Sequence, residues 1–294
     1  MKLSSAIQGH LAMLSFSALV ALSFTFGDLV AEDISPAILT LLRFIIACIF
    51  MSVIAFYGLK DFSFLFKKTW RWLIIGALMG TFFITMFEAL SITMPLATSA
   101  VFTLTPLIAS GLGRVLVGTK TGIGTFISLS IGAIGALWVI FGASLEKFLS
   151  LDIGRGEAIF LFGVICHAAV PAVTRRLVTD ASPFQVAFGT VCGALIVTII
   201  YALPEIPEAD FTTLSPAIWG VAFYLGIVTT AGTFFLLQYA IPRLTPGKVM
   251  AYTYLIPSWV VLHSLIDGTH QPPLIYIGVA STLIALLLLL REDM

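Results

Sequence analysis

The chain has 294 residues, of which 59% are hydrophobic and 10% charged, and its mean hydropathy is +1.08. A water-soluble domain dresses its surface with about 25% charged residues, so this composition excludes one and calls for an outer surface that meets membrane lipid. The 15 basic and 15 acidic side chains cancel, which excludes a nucleic-acid partner held by a basic field.

A spanning helix takes about 20 consecutive, mostly apolar residues. Ten stretches meet that length: 10–31, 36–57, 71–92, 95–117, 122–142, 156–178, 182–203, 216–240, 245–265 and 272–290. The first follows only Lys2 and is longer than the apolar core of a signal peptide, so it reads as a retained helix. The connections are short, hold most of the Gly, Pro and charge, and leave no room for a soluble domain. No stretch alternates with the period of a strand, which argues against a barrel. Cys48, Cys166 and Cys192 lie in apolar runs without a CxxC or Cys/His spacing. They read as small packing residues, and neither a disulfide nor a zinc site is expected.

Basic residues choose the orientation. With the N-terminus inside, the inner face carries Lys2, Lys60, Lys67, Lys68, Arg71, Arg114, Lys120, Arg175, Arg176, Arg243, Lys248 and Arg291. The outer face carries Lys147 and Arg155, while Arg43 falls within a helix. The expectation is a multi-pass protein of an inner or plasma-type membrane with both termini cytoplasmic.

The two halves resemble each other. Pro95 and Pro106 are eleven apart in PLATSAVFTLTP, and Pro246 and Pro257 are eleven apart in PGKVMAYTYLIP. An offset of 151 superposes them, with Ala89 on Ala240 and Ala100 on Ala251. Ser35-Pro36 similarly matches Ser182-Pro183. These matches pair helix 4 with helix 9 and helix 2 with helix 7, as a five-plus-five duplication requires. Five is odd, so the second repeat enters upside down. The loop after helix 2 is basic (Lys60, Lys67, Lys68, Arg71), whereas its counterpart is acidic (Glu205, Glu208, Asp210). The expected fold class is an all-α integral membrane protein of ten transmembrane helices in two inverted five-helix repeats, 10–142 and 156–290.

The stretches SPAILTLLRF, FEALSITMPLATSAVFTLTPL and YAIPRLTPGKVMAYTYLIP, in this order and spacing, resemble the drug/metabolite transporter superfamily of the EamA type, with two EamA domains. The likeness runs from about residue 10 to 290. The family's turn of a small residue plus Glu after the fourth helix of each repeat reads here Gly118-Thr119-Lys120 and Gly268-Thr269-His270, without the acid. The resemblance implies a ten-helix carrier of small metabolites, often moving them outward.

Ionisable side chains inside the hydrocarbon cost about 2.5–3.5 kcal/mol on insertion scales, so each needs a cavity, a partner or an interface. Asp28, Arg43 and Glu88 all fall in the outer part of the first repeat. Arg43 either pairs with Asp28 or Glu88 or locks packing, and Asp28 otherwise sits in interfacial water. Glu88 maps onto Tyr239 of the second repeat. There it either binds a cationic group or a proton, or is an interfacial carboxylate. His167 lies near the midplane, suited to a proton relay, a hydrogen bond or simple packing. His263 reads as interfacial. Tyr252, Tyr254 and Trp259 on helix 9 either line an aromatic pocket or pack. Pro106 and Pro257 free backbone carbonyls at mid-depth, which permits gating hinges or bent packing. Gly76-x-x-x-Gly80, Gly132-x-x-x-Ala136 and Gly189-x-x-x-Gly193 favour close helix contacts within the chain, with a homodimer as the other use.

No Walker motif, GxSxG or HExxH occurs, so neither an enzyme nor a cofactor is expected. The reading is a secondary carrier, in contact with membrane lipid. Its small-molecule substrate binds at Glu88, His167, Tyr239, Tyr252 and Trp259, with Asp28, Arg43, Pro106 and Pro257 in structural or gating roles. Proton coupling would rest on Glu88 and His167. A non-transporting scaffold or a channel-like facilitator is the alternative.

Overall fold

The computed structural model describes residues 4–28, 30, 33–58, 62–90, 92–93, 101–150, 154–266 and 272–291, and every regular element among them is helical. The ten longest helical stretches among the described residues are, in order, α1 Ser5–Asp28, α2 Pro36–Gly58, α3 Thr69–Leu90, α4 Thr105–Val117, α5 Ile123–Ile140, α6 Arg155–Leu177, α7 Pro183–Ala202, α8 Pro216–Ala240, α9 246–266 and α10 Ile275–Arg291. Seven of them, α1 to α3 and α5 to α8, are long and apolar enough to cross a membrane. α4 and α10 are shorter apolar helices of 13 and 17 residues, and α9 is interrupted. The fold is a ten-helix membrane fold.

Helix starts are written locally. Ser35, Ser182 and Ser215 each stand before a proline, and each hydroxyl accepts a bond from the backbone N–H three residues on, at 3.2, 3.3 and 3.3 Å. A serine N-cap satisfies an orphan donor, and proline at the first helical position sacrifices none. At α7 the cap becomes a reciprocal box, since Gln185 Oε1 accepts from Ser182 N at 2.8 Å. The Ser-Pro match between the halves is thus a shared helix start. α1 begins five residues before the expected position 10, because Ser4 Oγ accepts from Ile7 N at 3.2 Å. α10 begins at Ile275 rather than 272. Of the expected segment 95–117, residues 94–100, including Pro95, lie outside the described residues. Gly118, at φ +68, closes α4 in the left-handed region that glycine adopts without penalty.

The matched prolines do the same work in both halves. A turn at residues 103–104 precedes Thr105–Val117, and a 3-10 stretch Tyr252–Leu255 precedes Ile256–Ile266. Pro106 and Pro257 are each the second residue of the helix that restarts. Proline lacks an N–H and clashes with the preceding turn, so the break falls just ahead of it.

Packing follows one exchange rule, in which helix n of the first half trades places with helix n+5. α3 lies against α6 and α7, and α8 lies against α1 and α2; α4 lies against α6, and α9 against α1. α2–α7, α4–α9 and α5–α10 are their own counterparts. Alternating crossings also predict which ends meet. On the side that carries most of the basic residues, labelled inner after the expected orientation, Arg71 at the start of α3 reaches Asp180 in the α6–α7 connection at 2.5 Å, and Arg176 Nη1 donates to Leu116 O at 2.7 Å. On the opposite side, labelled outer, Ser35 bonds Glu205, Thr93 bonds Glu157, and Trp138 Nε1 donates to Leu274 O at 2.8 Å. Each pair joins ends that ten crossings, with the second half inverted, place on one side.

The small-residue spacings serve the α3–α7 contact within the chain. A Cβ on Gly76 would lie 2.4 Å from the backbone of Gly193 and Ala194, and one on Gly193 would lie 2.2 Å from Trp72 O. Gly132 meets the Tyr254 ring in the same way.

Candidate functional site

Arg43 is 2% exposed and is the eighth residue of α2, about 10 Å below its outer end at 1.5 Å per residue. Its Nε donates to Thr230 Oγ1 at 3.0 Å and its Nη2 to Thr229 Oγ1 at 3.2 Å. Both threonines belong to a π-helical stretch of α8, Leu225–Gly232, a wide turn that recurs at functional sites. The guanidinium also stands over the Phe83 ring, 4.4 Å from its centroid, a cation–π contact strengthened by desolvation. Of the alternatives, pairing with Asp28 or Glu88 or locking packing, the described contacts of Arg43 are two neutral hydroxyls and an aromatic face, and the Asp28 side chain lies outside the described residues.

Phe83 continues a layer of rings. Phe44 and Phe234 lie 5.6 and 6.4 Å from it, and Phe82 lies 5.2 Å away. Phe82 stacks on His167 at 4.4 Å, and Phe102 lies 5.7 Å from the same imidazole. His167 is 2% exposed, and its Nδ1 has no hydrogen-bond partner among the described residues. α2, α3, α6 and α8, with Phe102 just ahead of α4, thus bring Arg43 and His167 to the two edges of one phenyl layer. Such a layer excludes water and sharpens any polar contact made beside it.

The remaining expected site residues lie elsewhere. Glu88 is exposed near the outer end of α3, where its Oε1 accepts from Tyr201 OH at 2.6 Å. Tyr239 is near the inner end of α8. Its hydroxyl donates to Gln8 Oε1 at 2.8 Å, and Arg243 sits 3.6 Å above its ring. Tyr252 OH and His10 Nδ1 are 2.8 Å apart, and Trp259 Nε1 donates to Ser17 Oγ at 3.0 Å. These three aromatics fasten α8 and α9 to α1. The side chains of Asp28 and His263 lie outside the described residues.

Two groupings were not foreseen from the sequence. Cys48 and Cys192 stand with sulfurs 3.6 Å apart across α2 and α7, where separated apolar runs gave no spacing to read. A pocket of about 700 Å³ opens among the inner ends of α4, α6 and α8 and the start of α7, lined by Thr174, Arg175, Arg176 and Gln238. Its signal was the lone amide of Gln238 within the apolar run 216–240. A crevice of about 480 Å³ between α1 and α10 is aliphatic apart from His10 and Arg291. Among the described residues no cluster of His, Cys, Asp or Glu suits a metal ion.

Helices that cross repeatedly, halves that exchange partners by rule, and buried polar groups on an aromatic layer define a multi-pass membrane protein built by duplication. The model of the EamA-like transporter family matches residues 7–141 and again 154–291. The chain belongs to that family and is a membrane transporter. It is similar to the "Uncharacterized transporter YetK" of Bacillus subtilis (strain 168), at 22% identity over 275 residues, which cover 92% of this chain and 83% of the relative. A solved crystal structure shares the fold with a TM-score of 0.78 at 17% identity, over 97% of this chain and 96% of that one.

Proposed function

We propose that the chain is a secondary carrier that exports small metabolites, such as amino acids or related amphipathic compounds, by rocking its two repeats about the phenyl layer. The observation that carries this reading is the layer itself. It is built from both halves, and it holds Arg43 and His167 at mid-depth, where inverted-repeat carriers place their sites. Outward transport rests on the family resemblance. The basic inner face supports an inner or plasma membrane with cytoplasmic termini.

In this reading His167 offers the substrate a polar contact beside the rings, Tyr239 and Tyr252 act from the α1 side as the inner closure, and Trp259 binds α9 to α1 further along at Ser17. Pro106 and Pro257 mark the matched breaks about which α4 and α9 bend. Proton coupling draws on Glu88 and His167, and flux that ignores an imposed pH gradient removes it.

Counterflow in proteoliposomes tests the reading. Vesicles preloaded with unlabelled amino acids should accumulate the labelled species faster than empty ones, and His167→Ala should abolish the difference. Flux without trans-stimulation would point to a facilitator. Absence of flux across amino acids, nucleosides, polyamines and quaternary ammonium compounds would leave a scaffold.

A further inference from the structure

The crevice between α1 and α10 is apolar along its length and charged at one end. Ile284, Leu287, Leu288 and Arg291 of α10 line it together with Ile7 and His10 of α1, and its volume is about 480 Å³. The α10 positions are spaced by three and four, so they form one stripe along the helix, about 10 Å long at 1.5 Å per residue. The stripe is aliphatic until Arg291, the last residue of the helix, on the side that carries most of the basic residues. An aliphatic run that finishes in a single cation complements an amphiphile with an acidic head.

The helices around the crevice leave it open to the bilayer. α10 packs on α5, and α1 packs on α8 and α9. His10, 4% exposed, is held to α9 by the 2.8 Å contact of its Nδ1 with Tyr252 OH. Ile284 and Leu287, by contrast, are 51% and 59% exposed. Apolar walls of this kind stay dry, and an unfilled gap forfeits the dispersion contacts of the atoms that line it. A hydrocarbon chain supplies those contacts.

The charged end narrows the occupant. Arg291 is exposed, and its guanidinium forms no ion pair among the described residues. A guanidinium meets a phosphate in a planar, two-bond fork, and basic positions between helix ends on the cytoplasmic side suit lipid headgroups. Glu292 and Asp293 follow Arg291 in the sequence, so this stretch of chain has no surplus positive charge with which to collect anionic lipids. What Arg291 selects is then the phosphodiester itself, which zwitterionic and anionic phospholipids share.

We propose that the crevice holds one phospholipid of the inner leaflet, with an acyl chain along Ile284, Leu287 and Leu288 and the phosphodiester on Arg291. The site adjoins the His10–Tyr252 contact, and the inference does not rest on the carrier reading.

The test is native mass spectrometry of the purified full chain, depleted of lipid in detergent and offered one lipid at a time. The probes are dioleoyl phosphatidylglycerol, dioleoyl phosphatidylcholine and dioleoylglycerol bearing a glucose head (no phosphate). The parent should hold one molecule of either phospholipid with similar affinity, about fivefold more tightly than the glucolipid. Arg291→Gln should bring all three to the glucolipid level. Leu287→Trp fills the crevice and should weaken all three at least tenfold, whereas Ile200→Trp, at a 64% exposed position of α7, should change nothing. All three substitutions fall at exposed positions, so each variant should melt with the parent. Equal weakening by the two tryptophans, or weakening by neither, would mean a general lipid coat and overturns the site. A glucolipid held as well as the phospholipids, or phosphatidylglycerol alone held above it, overturns recognition of the phosphodiester.

Discussion

Arg43 on α2 and Thr230 on α8 share a 3.0 Å hydrogen bond that joins the two halves of the chain inside the hydrocarbon. With Thr229 and the Phe83 face it holds a guanidinium that is almost wholly buried. Lysine keeps the charge but not the planar fork that meets two hydroxyls and stacks on a ring. Arg43→Lys should therefore lower stability by about 1–3 kcal/mol, the scale of charged hydrogen bonds. Arg43→Met loses the same bonds but also sheds an insertion cost of about 2.5–3.5 kcal/mol, so its melting temperature should stay near that of the parent. Counterflow separates the roles. Loss of flux in a stable Arg43→Met protein assigns Arg43 to transport, and full flux reduces it to a strut between the halves.

The α3–α7 contact leaves no room for a methyl group. Gly76→Ala would place carbon 2.4 Å from backbone atoms of Gly193 and Ala194, and backbone cannot swing aside as a side chain can. Overpacking of this kind costs about 1–3 kcal/mol or more. Gly111 lies within α4, and a methyl group added there would meet nothing within 4 Å, so Gly111→Ala should be neutral or stabilising by up to about 1 kcal/mol. Thermal melts of the two variants in the same detergent check both signs. Similar melts would mean that α3 and α7 do not approach so closely.

The architecture was legible because lipid imposes a coarse rule that single residues cannot evade. Ten apolar runs, prolines eleven apart in both halves, and paired Ser-Pro steps sufficed for helix number and partnership. Individual site residues were harder. Arg43 and His167 were visible as ionisable groups at depth, but their partners, Thr229, Thr230, Phe82 and Phe83, are commonplace in membrane helices and carry no sequence signal. Glu88 attracted notice by charge, and near the end of α3 its carboxylate accepts from Tyr201 OH, a partner the sequence did not mark. Depth along a helix is readable to within a turn. Which face a side chain presents depends on the crossing of neighbouring helices, which the periodicity of a uniformly apolar run does not record.

Cys48 and Cys192 give a direct reading of helix placement, since α2 and α7 are counterparts under the exchange of halves. With sulfurs 3.6 Å apart, mild oxidation by copper phenanthroline should form an intramolecular disulfide, detected as a linked peptide by mass spectrometry. Cys48→Ser or Cys192→Ser should abolish the product, and Cys166→Ser should not change it. Joining two helices that belong to different repeats should also slow counterflow, and reductant should restore it. A cross-linked protein that transports at the full rate would show that α2 and α7 move as one body.

Acid should loosen the inner face at one identifiable point. Asp180 lies in the connection between α6 and α7, with Arg71 Nη1 2.5 Å from Oδ1 and Lys68 Nζ 3.9 Å from Oδ2. The Arg71 hydrogen bond, with the charges of Arg71 and Lys68 behind it, holds the carboxyl below its ordinary 3.8. A carboxylate whose folded value is depressed stabilises the fold above its unfolded value, and that stabilisation fades as pH falls through the folded one. The difference in melting temperature between the parent and Asp180→Asn should therefore be constant above about pH 5 and shrink progressively below pH 3.8. Because the pair is solvent-exposed on the aspartate side, added salt should narrow the gap at neutral pH as well. A gap that ignores both acid and salt would assign the asparagine's effect to packing of the α6–α7 connection and not to its charge.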